Sequence, residues 1–241
     1  ATAPDAVFVT ARGTGTSYLL RTTTGGDATF PGKYLVLGDG SKGGSMLLKM
    51  GSGNSLTVTN LTLVAGAMAN GDGGTQTLLS ENTIKVQTTA ARPFRFTGGN
   101  GRGIKVSGSL SSDEDTALLI VDRYSLSDDE NGSSGELSST FTCTLAGDNK
   151  AYQGKWTVDN LNMNGKPTSG LAATAFVSLS IDSAVRLGAD PDTLVTDTVT
   201  LKNNGTLAVT SDTLALGNRG LTIASTGGRI TRTGDLTISG T

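Results

Sequence analysis

The segment GLTIASTGGRITRTGDLTISGT, residues 220–241, decides the fold because it repeats the segment that precedes it. Residues 198–219 read TVTLKNNGTLAVTSDTLALGNR and have the same length and shape. Both segments carry an apolar-Thr-apolar triplet near the start, a Gly at the eighth position and a Leu-x-apolar pair near the end. A period of ~22 residues is too short for a propeller blade or a helical repeat, and it suits one turn of a β-solenoid with three short strands.

An ungapped alignment of the two segments predicts which side chains stack on one another. The aligned pairs are Val199 and Leu221, Thr200 and Thr222, Leu201 and Ile223, Gly205 and Gly227, Leu214 and Leu236, and Leu216 and Ile238. Because alternate residues of a strand point to opposite faces, the alternation predicts an inward core. Its members are Leu201, Leu216, Leu221, Ile223, Leu236 and Ile238. In the middle strand Ile230 is displaced by one residue from Leu207, so we expect turns of different length there.

The composition of the whole chain fits many short strands joined by tight turns. Of 241 residues, 36% are hydrophobic, 5% are aromatic and 34 are Gly. Earlier segments follow the same alternation; SLTVTNLTLV (55–64), for example, predicts two strands around Asn60. No shift in composition divides the chain, so we predict one elongated all-β solenoid domain over residues 1–241, with roughly ten coils at ~22 to 25 residues per coil.

Charge and hydropathy exclude some partners. A net charge of -2 argues against a nucleic-acid partner, which would require a basic face. No apolar run approaches the ~18 residues of a transmembrane helix. Cys143 is the single cysteine, and in TFTCTL it shares a face with Phe141 and Leu145, so we predict a buried apolar side chain. A chain poor in Cys and rich in Gly, Thr, Asn and Ser fits bacterial secretion.

The absence of histidine restricts the possible chemistry to carboxylates. Catalytic triads with histidine, metal sites with histidine ligands and histidine general bases are all excluded. Two acidic runs remain, Asp113–Asp115 and Asp128–Glu130. They fit either solvated loops, which we favour, or a calcium site or an acid/base pair for polysaccharide cleavage. We predict no cofactor, and the calcium candidates that stay open are Asp113, Asp115, Asp128, Asp129 and Glu130.

A glycan-cleaving enzyme would need carboxylates and cations on one outward strip of successive coils. The sequence offers only the scattered candidates Asp122, Arg123 and Lys105 for such a strip. Trp156 is either a platform for sugar stacking or a core residue on the face of Val158, and we favour the core position.

Residues 186–240 contain a series of short motifs, in this order: Leu187, Gly188, Pro191, the triplet 199–201, the GTL at 205–207 and the NRG at 218–220. In this order they resemble the autotransporter-associated β-strand repeat of bacterial passenger domains. Residues 145–160 are similar to the family's coil that is entered through Gly-Asp-Asn and left through an aromatic-x-Gly. The resemblance, over residues 145–240, implies a right-handed parallel β-helix exposed outside the cell. It does not cover the family's outer-membrane barrel, so it does not imply secretion through the chain's own pore.

These observations favour a non-enzymatic rod, extracellular or on the bacterial cell surface, that serves as an adhesin stalk or fibre subunit. A glycan-binding module and a glycan-cleaving β-helix enzyme remain as alternatives. The segment GDLTISGT carries the repeat pattern without a cap, which predicts either an excerpt from a longer chain or an end covered by another molecule. The second reading predicts head-to-tail contact with another copy through Leu236, Ile238 and Phe8. The expected partner is therefore another copy of the chain, or a cell-surface or matrix molecule.

Overall fold

The computed structural model of the chain describes residues 5–10, 19–21, 26–39, 44–48, 51, 53–70, 74–98, 101–123, 140–162, 176–232, 235 and 237–240. These residues are all-β, as the sequence predicts. Their one helical element is a short 3₁₀ turn, Ala184–Leu187. No helix among the described residues is long and apolar enough to cross a membrane.

Three parallel sheets contain most of the strands. Sheet A contains β1 (Val7–Thr10), β4 (Tyr34–Leu37), β7 (Asn60–Leu63), β10 (Ile84–Val86) and β13 (Leu110–Ser111). Sheet B contains β2 (Leu19–Arg21), β5 (Gly44–Leu48), β8 (Gly66–Asn70), β11 (Phe94–Gly98), β14 (Leu118–Arg123), β16 (Lys155–Asn162), β18 (Val195–Lys202) and β21 (Arg219–Ile223). Sheet C contains β3 (Ala28–Thr29), β6 (Ser55–Val58), β9 (Thr75–Ser80), β12 (Arg102–Val106), β15 (Phe141–Leu145), β17 (Val177–Ile181), β19 (Gly205–Val209) and β22 (Gly228–Thr231). A smaller parallel sheet, sheet D, pairs β20 (Thr213–Gly217) with β23 (Thr237–Gly240).

The chain visits the sheets in a fixed order, from A to B to C, and then returns to A. We call one such passage a cycle. After β13 two cycles lack a sheet A strand; in the first, Ala151 instead forms a single bridge with Ser111, and in the second the 3₁₀ turn precedes β18. β20 and β23 then follow sheet C strands, in the place that sheet A takes in the earlier cycles. This order of parallel strands is compatible with a β-solenoid.

One apolar core runs between the sheets from Leu35 to Leu216. It arises because every second residue of each strand is apolar and parallel register sets like faces on one another. In sheet B, for example, Phe96, Val121, Val158 and Leu201 are in register and fully buried. Cys143 and Trp156 are buried members of the same core, as predicted, and burial raises the pKa of the Cys143 thiol.

The register of the repeat agrees with the alignment in its first strand and departs from it afterwards. Val199 pairs with Leu221 and Leu201 with Ile223, as predicted. The expected one-residue slip is confirmed, because Leu207 pairs with Ile230 and Gly205 with Gly228 rather than Gly227. In the third strand Leu214 pairs with Ile238 rather than Leu236. The offset therefore grows from 221 − 199 = 22 to 230 − 207 = 23 and then to 238 − 214 = 24, since each turn of the later segment is one residue longer.

The predicted core at the repeat is correct in part. Leu201 and Leu216 are buried and Leu221 is partly buried against the core. Ile223 and Ile238 are 52% and 41% exposed, so their assignment to the core is wrong. Both residues face the same way as their buried partners Leu201 and Leu214, but their strands are paired on one side only. Leu236 lies outside the described residues.

The turn between β18 and β19 contains two asparagines and a glycine with different roles. Its left-handed residues are Asn203 and Asn204, with φ of 53° and 63°, rather than Gly205. Gly205 is required for a different reason, since a Cβ there would overlap the carbonyl of Val158 on the neighbouring strand β16. The glycine allows two strands to approach closely.

Candidate functional site

The predicted calcium residues do not form a site in the part of the chain that the structure describes. Asp113 and Asp115 lie on the exposed turn between β13 and β14. Asp128, Asp129 and Glu130 lie outside the described residues. Within that described part no three His, Cys, Asp or Glu side chains are grouped so that they could hold a metal ion. Calcium binding therefore stays an open prediction without a described site.

The scattered glycan candidates are not brought together. Lys105 is exposed on β12 of sheet C, whereas Asp122 and Arg123 are buried at the end of β14 of sheet B. The Arg123 Nε donates to the carbonyl and the side-chain oxygen of Asn160, at 3.2 and 3.1 Å. Burial lowers the pKa of the Arg123 guanidinium to about 10. Arg123 therefore joins β14 to β16 rather than facing a substrate.

An outward strip of charges does exist on sheet B, and Asp122 is the one member that the sequence reasoning named. Because Val121, Val158 and Leu201 point inward in register, the residues after them point outward: Asp122, Asp159 and Lys202. Arg95 lies on the same face one strand earlier, on β11. Arg95, Asp159 and Lys202 have no recognisable signal in the sequence, because only the strand register brings residues so distant in sequence onto one face.

The charges of this strip are paired with one another across neighbouring strands. The Arg95 guanidinium donates to Asp122 Oδ2. Lys202 Nζ lies 3.3 Å from Asp159 Oδ2, and Asn203 donates to Asp159 Oδ1 at 2.7 Å. The strip therefore joins β11 to β14 and β16 to β18 by ion pairs and hydrogen bonds.

Asp122 has the most perturbed carboxyl of the strip. Its side chain is 1% exposed, and this burial raises its pKa to about 7 against the opposing effect of Arg95; the nearby Asp159 charge raises the pKa further. Thr97 faces the carboxyl from β11 and favours its charged form, but no hydrogen bond of normal geometry joins the two. A carboxyl with a raised pKa beside a second carboxyl is the pairing used for acid/base catalysis. Here, however, a sugar ring has no access to the buried Asp122.

A second set of bonds between cycles involves the residues of the sequence motif. The Arg219 guanidinium donates from Nε and Nη2 to the carbonyl of Gly188, at 3.1 and 2.8 Å. The Asn218 amide N–H donates to Asp190 Oδ1 at 2.9 Å, and its side chain donates to the Pro191 carbonyl at 2.9 Å. The turn at 188–191 is thus held by residues 218–219 of the next cycle, and we call this arrangement the arginine clamp.

Gly217 completes the arginine clamp. Its φ is +64°, and a Cβ at this position would overlap the Asp190 carboxylate. Asp190 Oδ1 also lies 3.6 Å from the Arg219 guanidinium. Burial lowers the pKa of Arg219, and Asp190 partly opposes this effect. A glycine is needed here both for the left-handed backbone and for the space that the carboxylate fills.

The preceding cycle contains a related arrangement around Asn149. The Asn149 side-chain oxygen accepts the Leu110 N–H at 2.8 Å, and its amide donates to the Arg186 carbonyl at 2.6 Å. The Arg186 guanidinium donates to the Ala146 carbonyl at 2.8 Å. The buried Trp156 donates from Nε1 to the Leu187 carbonyl at 2.9 Å, which excludes it as an exposed sugar platform.

Two open clefts adjoin these turns, with volumes of about 510 and 660 Å³. They share Lys150, Ala189 and Asp190, and Asp115 and Asp192 lie in the first of them. Lys150 Nζ forms an ion pair with Asp148 Oδ2 at 3.0 Å, and Asp148 itself does not line either cleft. The clefts form where sheet A is interrupted, and their polar rims could admit a hydroxyl-rich ligand.

No protein-family model matches the chain, and the searches of curated proteins and of solved structures also found no match. Nothing in these comparisons identifies the autotransporter-associated repeat, so that resemblance stays a prediction. Four motif residues of the resemblance, Gly188, Pro191, Asn218 and Arg219, nevertheless have a visible physical role, because they take part in the arginine clamp.

Proposed function

We propose that the chain is a non-enzymatic structural rod that acts outside the cell or on the bacterial cell surface, as an adhesin stalk or a fibre subunit. The observation that carries this proposal is the use of charged and amide side chains to join successive cycles. The arginine clamp, the Asn149 bonds and the sheet B strip each connect one cycle to the next. A composition suited to secretion and the motif resemblance support the location.

The architecture that we propose is a right-handed parallel β-helix with three short sides. Parallel strands in one sheet are connected by right-handed crossovers in nearly all proteins. The eight described strands in each of sheets B and C, at ~4.8 Å per strand, correspond to a length of about 40 Å.

In such a rod the strip on sheet B serves to join strands rather than to hold a substrate. Catalytic carboxylates must contact substrate, but Asp122 is buried. Asp159 forms an ion pair with Lys202 and accepts a hydrogen bond from Asn203. Paired charges on neighbouring strands instead resist the sliding of one strand along another. A rod under mechanical load would benefit from such bonds.

A shape measurement and an activity measurement together test the proposal. Small-angle X-ray scattering of the monomer should give an elongated particle, and incubation with a panel of plant and bacterial polysaccharides should release no new reducing ends or unsaturated products. Cleavage that is abolished by Asp159→Asn would refute the non-enzymatic rod and support the enzyme. An isotropic particle would refute the β-helix.

A glycan-binding module is the second candidate, and the two adjoining clefts favour it. Gln153 and Asp192 line the first cleft and are suited to hydrogen bonds with hydroxyl groups. A glycan array would test this function with the wild type and the Asp192→Asn and Gln153→Ala variants. Binding that is weakened by these changes but not by Asp113→Asn, an exposed carboxylate outside the residues that line the clefts, would establish it.

A further inference from the structure

Exposed apolar side chains are concentrated on strands that have a partner on one side only. Among the described residues, six large hydrophobic side chains are exposed, and five of them lie on such edge strands. The five are Val7, Phe8 and Val9 on β1, Ile223 on β21 and Ile238 on β23. The sixth, Leu194, precedes β18, which has partners on both sides.

The inward members of this set continue the apolar core at its two open ends. Phe8 is in register with the buried Leu35, and Ile223 is in register with the buried Leu201. Phe8 is 39% exposed although its ring packs edge-on against Phe30. These side chains therefore point toward the core, and no described strand covers them on the outer side.

The two ends are complementary in backbone as well as in side chains. An edge strand offers an unpaired row of N–H and C=O groups, and a parallel strand of another copy can pair with it. Because all the strand pairs are parallel, the edge at one end of the stack suits the opposite edge of a second copy. Such a contact is head-to-tail, and it can repeat along a filament.

The order of the sheets fixes which strands meet. β23 follows β22 of sheet C and takes the place of sheet A, so the next place in the cycle lies beyond β21 in sheet B. We propose that β1 of a second copy occupies this place and pairs in parallel with β21. The second copy is then rotated about the axis of the stack by one of its three sides, so that its sheet A continues sheet B of the first copy. Phe8 of the second copy then packs against Leu221 and Ile223. This junction rests on the rod proposed above and names its partner as another copy of the chain.

The turned arrangement fills every place at the junction. β1, β2 and β3 of the second copy then follow β21, β22 and β23 of the first in the same cyclic order. Stacking without this rotation would set β1 of the second copy directly on β23 of the first. It would leave one strand position empty in each of sheets B and C. The filament would rise by about 40 Å per copy, from eight strands per sheet at ~4.8 Å.

Cysteine cross-linking tests which strands meet. Val9 and Thr222 face outward on β1 and β21, and Ser239 faces outward on β23, because each follows an inward residue. Mild oxidation of a Val9→Cys, Thr222→Cys chain should give a ladder of disulfide-linked oligomers, and a Val9→Cys, Ser239→Cys chain should not. Chains with only one of these cysteines added are the controls; they can form only dimers, because the native Cys143 is fully buried. A ladder from the Ser239 pair alone would overturn the turned arrangement, and no ladder from either pair would overturn the junction.

Sedimentation velocity over a concentration series provides an independent measurement. The mass of the wild type should rise with concentration, and Ile223→Lys should remain monomeric. Leu194→Lys is the matched control because both residues are 52% exposed, and it should associate like the wild type. A wild type that is monomeric throughout would overturn the junction while an elongated monomer would leave the rod intact. Polysaccharide cleavage by a chain that still forms ladders would overturn the rod function alone.

Discussion

At the scale of single residues, the sequence marks positions whose reason is visible only in three dimensions. Gly217 reads as an ordinary turn glycine, but the structure sets it against the Asp190 carboxylate of the preceding cycle. Asp122 is a candidate for an outward glycan strip in the sequence, but the structure makes it the buried partner of Arg95. In both cases the neighbour that matters lies 27 residues away: 217 − 190 = 27 and 122 − 95 = 27.

We expect Gly217→Ala to destabilise the fold by about 1–3 kcal/mol, because the new Cβ meets the carboxylate and the left-handed backbone is strained. Gly101→Ala is the control, since its φ is +71° but a Cβ there meets nothing within 4 Å. Chemical denaturation of both variants separates the overlap from the backbone cost. Equal losses in the two variants would show that Asp190 exerts no steric effect.

The raised pKa of Asp122 predicts a stability that depends on pH. The pKa of Asp122 is 3.8 in the reference state and about 7 in the fold. Between pH 3.8 and about pH 7 the folded chain therefore keeps a proton on Asp122 that the unfolded chain has lost. The contribution of Asp122 to stability is therefore present at about pH 4 and is lost as the pH rises toward 7. Thermal melts from pH 4 to 8 should show this loss in the wild type and not in Asp122→Asn. Asp115→Asn, on an exposed turn, is the control; a loss retained in Asp122→Asn would contradict the assignment.

At the scale of strands, position in the stack determines what a given residue contributes. Leu201 and Ile223 occupy equivalent places in successive strands of sheet B, yet one is fully buried and the other is half exposed. The hydrophobic contribution follows the area removed from water, so equal sequence patterns give unequal energies.

We expect Leu201→Ala to cost about 2–5 kcal/mol, the range for a buried leucine, because it leaves a cavity between β16 and β21. Ile223→Ala should cost less than about 1 kcal/mol in the monomer, since surface changes have small effects. The free energies of unfolding from urea titrations below the association range compare the two. Similar losses would mean that Ile223 is buried in solution.

Arg219→Met should destabilise the last cycles by about 2–3 kcal/mol, because the Gly188 carbonyl loses its charged donor. Hydrogen exchange should become faster in β21 and β22 and remain slow in β11. Arg229→Met is the control, since Arg229 is exposed and its guanidinium lies over the face of Phe176, 5.1 Å from the ring centre. Unchanged exchange in β21 would show that the clamp contributes nothing.

At the scale of the whole molecule, the stack is held by one apolar core and by polar bonds between cycles. Each cycle contacts its neighbours, so stability along the stack is a sum of local terms. The elements that would extend such a stack are its free edges, which is where the exposed apolar residues lie.

Calcium should not alter the stability of the molecule. Addition of millimolar Ca²⁺ after chelation would raise the unfolding temperature if the folded chain bound the ion. We expect no shift, because Asp113 and Asp115 lie on an exposed turn and the described residues contain no grouped ligands. A rise of several degrees that Asp128→Asn abolishes would assign a site to the second acidic run.

The sequence by itself determined the strands, their inward faces and the first register of the repeat, because alternation of apolar residues is a local property of the chain. Val199 and Leu221 were matched on sequence alone. The tertiary structure decided the later register, since one extra residue in a turn shifts every following pair. It also decided which apolar residues stay exposed and which charges meet. Arg95 and Asp122, or Arg219 and Gly188, become neighbours only when the chain completes a cycle, and no local pattern encodes that distance.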